Sequence, residues 1–316
     1  MSTQASQWRK YLSSPDTGLS SLRWQEYRIQ NPSGEKVVRS MLAPPELTLL
    51  YYLARDHYSG RGEIVDLGPL LGVGTNMLAR GLQANERSIP KSKRIYSYDL
   101  FLTDGMGHYV DDCGPATGSV FEAFQDLNRD YRESIFVSPG DLLALRWTGE
   151  PIEICFVDVA KSLPLNFHVI EQFFGSLVEG AALVQQDYVY FDQYWISYTM
   201  EYFAEYFSPP EFVFGATACF YLKRPIDKGR FQDFRALSFD DRLSLKDRAI
   251  AKAPASVAPV LLCGKAKMLF DEGRVEEARQ ALAKVEPVGH RDPVVDFSAI
   301  AQSNREMVAR IIGSTA

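Results

Sequence analysis

Four acidic residues stand at or directly after the ends of short apolar runs in this chain of 316 residues: Asp66, Asp99, Asp158 and Asp187. Short apolar runs of this kind predict buried strands. In sheets of parallel strands, ligands bind beyond the carboxyl ends of the strands. Carboxylates placed there accept hydrogen bonds from hydroxyl and amino groups, and they also bind cations. The four acids are therefore the first candidates for a functional site.

The first of these acids opens a glycine-rich stretch, "IVDLGPLLGVGTN", with glycines at 68, 72 and 74. A dinucleotide-binding loop requires Gly-x-Gly-x-x-Gly, and a pattern that starts at Gly72 places Met77 at the last glycine. A P-loop requires Gly-Lys-Ser/Thr, which does not follow Gly74. The stretch thus predicts a nucleotide-like ligand and argues against the two commonest ones.

Strand-like and helix-like segments alternate from about residue 44 to residue 223. The strand-like runs are residues 63–67, "RIYSYDLF", "SIFVSPGD", "IEICFVDV", "AALVQQDY" and "EFVFGATACFYLKR", of which the last predicts two strands. This alternation predicts an α/β fold with a Rossmann-like, doubly wound, mostly parallel seven-stranded sheet and helices on both faces.

The chain divides into three predicted regions: an N-terminal extension (1–43), a central domain (44–224) and a helical C-terminal appendage (225–316). We expect helical structure in both terminal extensions. The charged stretch directly after Lys223 has the composition of a linker or covering segment. Residues 255–287 carry small residues and Gly273 at a turn, which resembles one tetratricopeptide-like helical hairpin.

Composition limits the partners and the compartment. The net charge of -6 gives no support to a nucleic-acid partner, which favours a basic surface. The four cysteines form no Cys-x-x-Cys pair, which argues against a zinc site or a disulfide framework. No apolar run approaches the ~20 residues of a membrane span, and "MSTQASQWRKYLSS" lacks the apolar core of a signal peptide. We therefore expect a cytoplasmic protein without a membrane partner, and a homo-oligomer stays open.

Residues 44 to about 223 resemble class I S-adenosylmethionine-dependent methyltransferases, in particular the small-molecule O-methyltransferases of the catechol and macrocin (sugar) types. The first motif of that family is acid-x-Gly-x-x-x-Gly-x-Ser/Gly-Thr/Ala. The chain matches it with Asp66, Gly68, Gly72, Gly74 and Thr75. The resemblance implies S-adenosylmethionine as the cofactor.

The resemblance also implies roles for individual residues in cofactor binding. A loop with few side chains lets the methionine part of the cofactor approach the backbone, and Asp66 faces the cofactor's amino group. Asp99 accepts hydrogen bonds from the two ribose hydroxyls. Asp141, in "PGD", contacts the adenine amino group. The alternative for each acid is a solvated loop residue or a helix N-cap. We also expect Gly72→Val to abolish cofactor binding with little change in the core.

A second cluster, "FVDVAKS", places Asp158 and Lys161 three residues apart. In the catechol type, an acid at this point binds a divalent metal, and a lysine takes the proton from the substrate hydroxyl. The other metal ligands there are an Asp-Asn pair, where this chain has Gln186 and Asp187. The resemblance therefore implies a magnesium site formed by Asp158, Gln186 and Asp187. A lysine that serves instead of the metal remains the alternative.

The macrocin-type relatives use a histidine as the base near the acid that ends the fourth strand. This chain has no histidine there, and Lys161 stands near that point. His108 lies in the glycine-containing stretch "LTDGMGHYVDDCG", which directly follows Asp99 and could close over a substrate. We therefore count His108, with Lys161 and Asp158, among the candidate catalytic residues.

These observations predict an S-adenosylmethionine-dependent O-methyltransferase that acts on a small hydroxylated molecule such as a sugar or natural product. Two alternatives stay open. One is a binding protein that keeps the methyltransferase fold without turnover, which the altered Gln186 favours. The other is a nicotinamide-dependent oxidoreductase, which the missing third glycine disfavours.

Overall fold

A computed structural model describes residues 7–11, 26–31, 34–92, 94–102, 119–286 and 296–313 of the chain. The chain forms two compact units. The first comprises Met1–Val159 and Gln172–Val184, and the second comprises Ala160–Glu171 and Gln185–Ala316. These two units are called unit 1 and unit 2 below.

The regular elements alternate between strands and helices through the middle of the chain. The strands are β1 (Glu26–Asn31), β2 (Gly34–Arg39), β3 (Glu63–Leu67), β4 (Ile95–Asp99), β5 (Ile135–Pro139), β6 (Ile152–Val157), β7 (Leu177–Gln185), β8 (Glu211–Phe214) and β9 (Thr217–Tyr221). The α-helices are α1 (Pro44–Tyr52), α2 (Val73–Gln83), α3 (Phe121–Leu127), α4 (Leu163–Phe173), α5 (Trp195–Tyr202), α6 (Gly229–Arg235), α7 (Phe239–Lys252), α8 (Ala258–Asp271), α9 (Val275–Ala283) and α10 (Phe297–Gly313).

Seven of these strands form one sheet in the order β5-β4-β3-β6-β7-β9-β8. The pairs β3–β4, β3–β6 and β4–β5 are parallel, whereas β8 and β9 pair antiparallel. The predicted α/β class and the predicted seven-stranded, mostly parallel sheet are therefore confirmed. Strand order reverses at β3, which has β4 on one side and β6 on the other. A doubly wound sheet binds its ligand at such a reversal, so this part of unit 1 is where a site is expected.

Strand β3 lies in the middle of the parallel strands and is fixed at its entry by a buried acid of β6. Glu153 is 0 % exposed. Its two carboxylate oxygens accept hydrogen bonds from the backbone N–H and hydroxyl of Ser59 and from the backbone N–H of Arg61. These contacts satisfy the buried charge and hold the turn that leads into β3.

The N-terminal extension differs from the helical prediction. Its described residues form a short 3-10 helix (Gln7–Tyr11) and an antiparallel hairpin of β1 and β2. In the sequence of the hairpin, "EYRIQNPSGEKVVR", Ile29 precedes Pro-Ser-Gly, and Val37 and Val38 follow it. β-branched residues favour strands and Pro-Ser-Gly favours a turn, so the signal for a hairpin was present.

The charged stretch after Lys223 contains α6 and α7, which agrees with helical structure in the C-terminal extension and with a covering segment, but not with a linker. A capping box begins α7: the Ser238 hydroxyl accepts a hydrogen bond from the Asp241 backbone N–H, and the Asp241 carboxylate accepts one from the Ser238 backbone N–H. The inward faces bury Phe234, Leu245 and Ala249. The apolar residues repeat with the period of a helix, but the many charged residues between them hid this pattern in the sequence.

Helices α8 and α9 meet at Gly273, whose φ of +78° suits the left-handed end of a helix. Together with α10 they enclose an apolar cluster in unit 2 that includes Ala266, Ala278 and Val308, each 0 % exposed. Small side chains let the helices approach closely. No helix in the described ranges has both the length and the apolar character needed to cross a membrane.

One charged side chain is buried inside unit 2. Lys246 of α7 is 1 % exposed, and its Nζ donates a hydrogen bond to Ser197 Oγ at 2.6 Å. Burial lowers the pKa of Lys246 from 10.5 to about 7, although Cys263 and Asp247 act in the opposite direction. Burying an ammonium is costly, so this lysine destabilises the fold at every pH at which the unfolded chain carries its charge.

We expect Lys246→Met to raise the free energy of unfolding at neutral pH by several kcal/mol, at most about 5 kcal/mol. Between about pH 7 and pH 10 the unfolded chain binds the lysine proton and the folded chain does not, so the parent gains stability as pH rises through this window. The advantage of Lys246→Met should therefore shrink toward pH 10.

Urea unfolding at a series of pH values measures this difference. Lys228→Met, at an exposed lysine of unit 2, is the control and should change little. An advantage of Lys246→Met that stays constant from pH 7 to pH 10 would contradict the prediction.

Candidate functional site

The loop between β3 and α2 depends on two glycines with left-handed backbones. Gly68 has φ +91°, and a Cβ atom there would lie 2.9 Å from the backbone carbonyl carbon and oxygen of Asp158. Gly72 has φ +85°, and its Cβ would lie 2.5 Å from side-chain atoms of Phe124 and Asn128. Both positions therefore require glycine for conformation and for space. At Gly72 the space is filled by protein, so the expectation that Gly72→Val leaves the core unchanged is wrong.

Asp66, at the end of β3, is directed into unit 1. It is 0 % exposed, and its Oδ2 accepts a hydrogen bond from Thr75 Oγ1 at 2.5 Å. Its Oδ1 is buried and has no hydrogen-bond partner within the described residues. Burial raises the pKa of Asp66 to about 7; the Thr75 hydrogen bond opposes this shift, and the nearby Asp158 and Asp99 add to it. Asp66 and Thr75 thus join the end of β3 to the start of α2.

Asp99 holds the loops that follow two adjacent strands. Its Oδ2 accepts a hydrogen bond from the backbone N–H of Leu70 at 2.8 Å, and its Oδ1 accepts one from Phe101 at 2.6 Å. Burial raises the pKa of Asp99, and the backbone hydrogen bonds oppose this shift. Leu70 and Phe101 have φ of +48° and +53°, which are costly for bulky side chains. A carboxylate has about four lone-pair sites, so Asp99 keeps capacity to accept a hydrogen bond from a ligand.

A cavity lies over the glycine loop within unit 1. Its lining combines a segment before α1, the loop itself and the end of β6: Ser40, Met41, Leu42, Gly68, Pro69, Leu70, Leu71, Val73, Gly74, Phe156 and Asp158. Gly68, Gly74 and Asp158 were predicted site residues. Residues 40–42 were missed, because they were assigned to the N-terminal extension. The sequence signal for an ordered turn was Ser40, which stands shortly before "PPE". Its Oγ accepts a hydrogen bond from the backbone N–H of Leu42.

Asp141 follows β5 and is exposed. Its Oδ1 accepts a hydrogen bond from the backbone N–H of Leu143 at 2.9 Å, which makes it the N-cap of a short 3-10 helix (Leu142–Ala144). This is the alternative role named for the acid above. The exposed carboxylate still has capacity to accept a further hydrogen bond, so contact with an adenine amino group stays a prediction.

Lys161 and Asp187 form an ion pair within unit 2. The distance from Lys161 Nζ to Asp187 Oδ2 is 2.5 Å, and the side chains are 50 % and 18 % exposed. Asp187 directly follows Gln186 after β7 and has φ +60°, a conformation that aspartate adopts more readily than most residues. The side-chain oxygen of Gln186 accepts a hydrogen bond from the Thr217 hydroxyl.

The predicted magnesium site has no support in the described residues. Among them, no group of three or more His, Cys, Asp or Glu side chains is placed to hold a metal ion. The side chain of Gln186 bonds Thr217, and Asp187 bonds a lysine, which is the alternative to the metal stated above.

His108 lies outside the described residues. The aromatic residues that follow Asp187 are largely internal: Tyr188 is 6 % exposed and Trp195 is 9 % exposed. The Trp195 indole donates a hydrogen bond to the Ala160 carbonyl at 2.8 Å. Trp195 is therefore a packing residue within unit 2.

Searches for similar proteins gave structural likenesses only. No known protein family matches the sequence, and no curated protein matches it. Among solved structures, the O-methyltransferase NovP is similar with 12% identity and a TM-score of 0.46, covering 58% of this chain and 82% of that one. Human N-acetylserotonin methyltransferase in complex with SAM has 11% identity and a TM-score of 0.33, covering 57% and 56%. The [4+2]-cyclase SpnF has 11% identity and a TM-score of 0.34, covering 97% and 92%.

These TM-scores are all below 0.5, and the named reactions include both methyl transfer and a cyclisation. One fold supports many reactions, so function has to follow from the chain's own residues.

The glycine loop generates a stability prediction. Gly72→Ala should lower the free energy of unfolding by about 2–4 kcal/mol, because it combines a left-handed backbone with an overlap against Phe124 and Asn128. Gly149→Ala is the matched control, since Gly149 has φ +87° and open space around its Cβ position.

Urea unfolding of both variants separates the two effects. Gly149→Ala should be less destabilising than Gly72→Ala by about 1–3 kcal/mol, which is the part due to overlap. Equal losses at the two positions would show that α3 yields and that only the backbone matters.

Proposed function

We propose that the chain is an S-adenosylmethionine-dependent methyltransferase that transfers a methyl group to a hydroxyl of a small molecule. The observation that carries this proposal is the cavity over the glycine loop, with Asp99 fixed beside it at the reversal of strand order. Ligands of doubly wound sheets bind at this point. The absent third glycine of the dinucleotide pattern, where Met77 stands, favours this cofactor over a nicotinamide.

The residues present fit a cofactor with an amino acid part and a ribose. Gly68 and Gly74 add no side chain to the lining, so that a ligand can approach the backbone at these two positions. The Asp99 carboxylate is the acceptor we assign to the ribose hydroxyls. The buried Oδ1 of Asp66 has no hydrogen-bond partner among the residues that the structure describes, and we assign it to an ammonium group, directly or through water. Bound S-adenosylmethionine supplies an electrophilic methyl group on a sulfonium.

The chain must hold the acceptor oxygen in line and move its proton. We assign this proton to the pair Lys161–Asp187. Lys161 Nζ donates a hydrogen bond to Asp187 Oδ2, and we assign it a second hydrogen bond, to the acceptor oxygen. The Oδ1 atom of Asp187 accepts no hydrogen bond within the described residues, and it is the base we assign.

The acceptor class is a small hydroxylated compound such as a sugar or natural product. The chain is acidic, with a net charge of -6, which disfavours a nucleic-acid substrate. A binding protein with the same cofactor site but without turnover is the second candidate, since Gln186 is engaged by Thr217 and the metal ligands are incomplete.

Two measurements test the function. Mass spectrometry of co-purified ligands and calorimetry with S-adenosylmethionine, S-adenosylhomocysteine and NAD identify the cofactor. A screen of hydroxylated small molecules with methyl-labelled cofactor then identifies transfer. Binding of NAD alone would overturn the proposal, and cofactor binding without transfer to any acceptor would leave the binding protein as the function.

The ribose role of Asp99 is tested by Asp99→Ala. Loss of a charged acceptor for two hydroxyls should weaken S-adenosylhomocysteine binding by about 1–3 kcal/mol. Calorimetry gives the affinity, and Asp130→Ala, at an exposed acid of unit 1, is the control. Thermal unfolding shows whether the loops still fold. If the Asp99 variant folds and binds as tightly as the parent, the ribose assignment is wrong.

The proton role is tested on the acceptor that the screen identifies. Lys161→Met and Asp187→Asn should each lower kcat by about 10²–10⁴-fold, the usual range for general acid–base groups, while Lys284→Met at an exposed lysine leaves it unchanged. Activity should persist after exhaustive chelation. If chelation abolishes activity and magnesium restores it, an ion takes part in the mechanism. That outcome would reject the assignment of the proton to Lys161 and Asp187 alone.

A further inference from the structure

A second cavity lies entirely within unit 2 and has no part in the proposed reaction. It has a volume of about 340 Å³, and its lining shares no residue with the cavity over the glycine loop. Its inner wall is apolar and consists mainly of Tyr188, Met200, Phe207, Phe212, Phe220 and Ala249. Pockets for small molecules start at about 300 Å³ and are lined mainly by apolar and aromatic side chains.

The aromatic wall is ordered by contacts between its own rings. The rings of Tyr188 and Phe220 lie 5.3 Å apart and edge-on, and the rings of Phe207 and Phe220 lie 6.3 Å apart and edge-on. Tyr188, Phe207 and Phe220 are each at most 6 % exposed. Fixed rings of this kind present edges and faces to a flat apolar ligand without further loss of side-chain freedom.

The mouth of the cavity carries an excess of positive charge. Glu201 is already balanced, because its Oε1 lies 2.5 Å from Lys252 Nζ and 3.4 Å from Arg248 Nε. Lys223 has no carboxylate within 4.0 Å in the described part of the chain, and its Nζ reaches only the Ala204 carbonyl at 3.5 Å. The lining therefore offers a cation that is not neutralised by the protein.

A donor also remains unused on the wall of this cavity. The Tyr188 hydroxyl makes no hydrogen bond within the described residues, although the side chain is 6 % exposed. Burial raises the pKa of Tyr188, and the charge of Glu201 adds to this shift. The phenol therefore keeps its proton and can donate a hydrogen bond to an acceptor bound in the cavity, or to water when the cavity holds no ligand.

We propose that this cavity binds a small organic monoanion with an aromatic body, whose anionic group pairs with Lys223 and accepts a hydrogen bond from Tyr188. The aromatic wall receives the flat body, and the unneutralised lysine selects the negative charge. A neutral ligand of the same shape gains only the apolar contacts. This site is independent of the proposed methyl transfer.

The test uses the full chain with 1-naphthylacetate and its uncharged analogue 1-naphthylacetamide in titration calorimetry. The carboxylate should bind at one site and about threefold to tenfold more tightly than the amide, since the ion pair is partly exposed. Lys223→Met should reduce carboxylate binding to the level of the amide, and Tyr188→Phe should weaken it about threefold. Lys228→Met, at an exposed lysine outside the cavity, is the matched control.

Ala204→Trp fills the cavity and should remove binding of both probes, and thermal unfolding verifies that each variant is folded. Absence of saturable binding up to the solubility limit of 1-naphthylacetate would overturn the proposal. Equal affinities for acid and amide, or no effect of Lys223→Met, would overturn the charge selection. Competition by S-adenosylhomocysteine would place the probe over the glycine loop and would also overturn it.

Discussion

A single carboxylate fixes the geometry of the candidate site in unit 1. Asp99 accepts hydrogen bonds from the backbone N–H groups of Leu70 and Phe101, which belong to the loops after β3 and β4. Both residues have left-handed backbones that their side chains disfavour. The charge–dipole contacts offset that strain, and burial strengthens them because the surroundings are less polar than water. The shape of the cavity therefore depends on a charge that is itself a candidate ligand-binding group.

Strand β3 is held at both ends by buried acids. Glu153 secures the turn before β3, and Asp66 with Thr75 secures the exit from it. The first acid accepts hydrogen bonds on both oxygens, whereas in the described part of the chain Asp66 has one oxygen without a hydrogen bond, and its pKa is raised to about 7. The carboxylate of Glu153, at the start of β3, thus has hydrogen bonds on both oxygens. The carboxylate of Asp66, at the end of β3, keeps one oxygen without a partner in the described residues. This asymmetry separates the folding role of buried charge from its ligand-binding role.

The sequence was sufficient to predict the sheet, because the apolar runs and the acids that end them record burial and strand ends directly. It was not sufficient to predict where side chains point. Thr75 and Asp66 bond each other, and the Gln186 side chain accepts a hydrogen bond from Thr217, a residue 31 positions along the chain. The hydrogen-bond partners of a polar side chain depend on tertiary neighbours, which a motif does not contain. The overlooked capping box at Ser238 is different, since its pattern was readable and only the surrounding charge hid it.

The left-handed backbone of Asp187 restricts which residues can stand there before any chemistry is considered. At φ +60° glycine, asparagine and aspartate are tolerated, whereas β-branched side chains are strongly disfavoured. Of these tolerated residues, only aspartate also supplies the negative charge that faces Lys161. Asparagine would allow the same backbone conformation but would remove the charge. Glycine would remove both the charge and the side chain. If related sequences keep aspartate at this position, selection acts on the ion pair. If they replace it with asparagine or glycine, selection acts only on the backbone conformation of the turn.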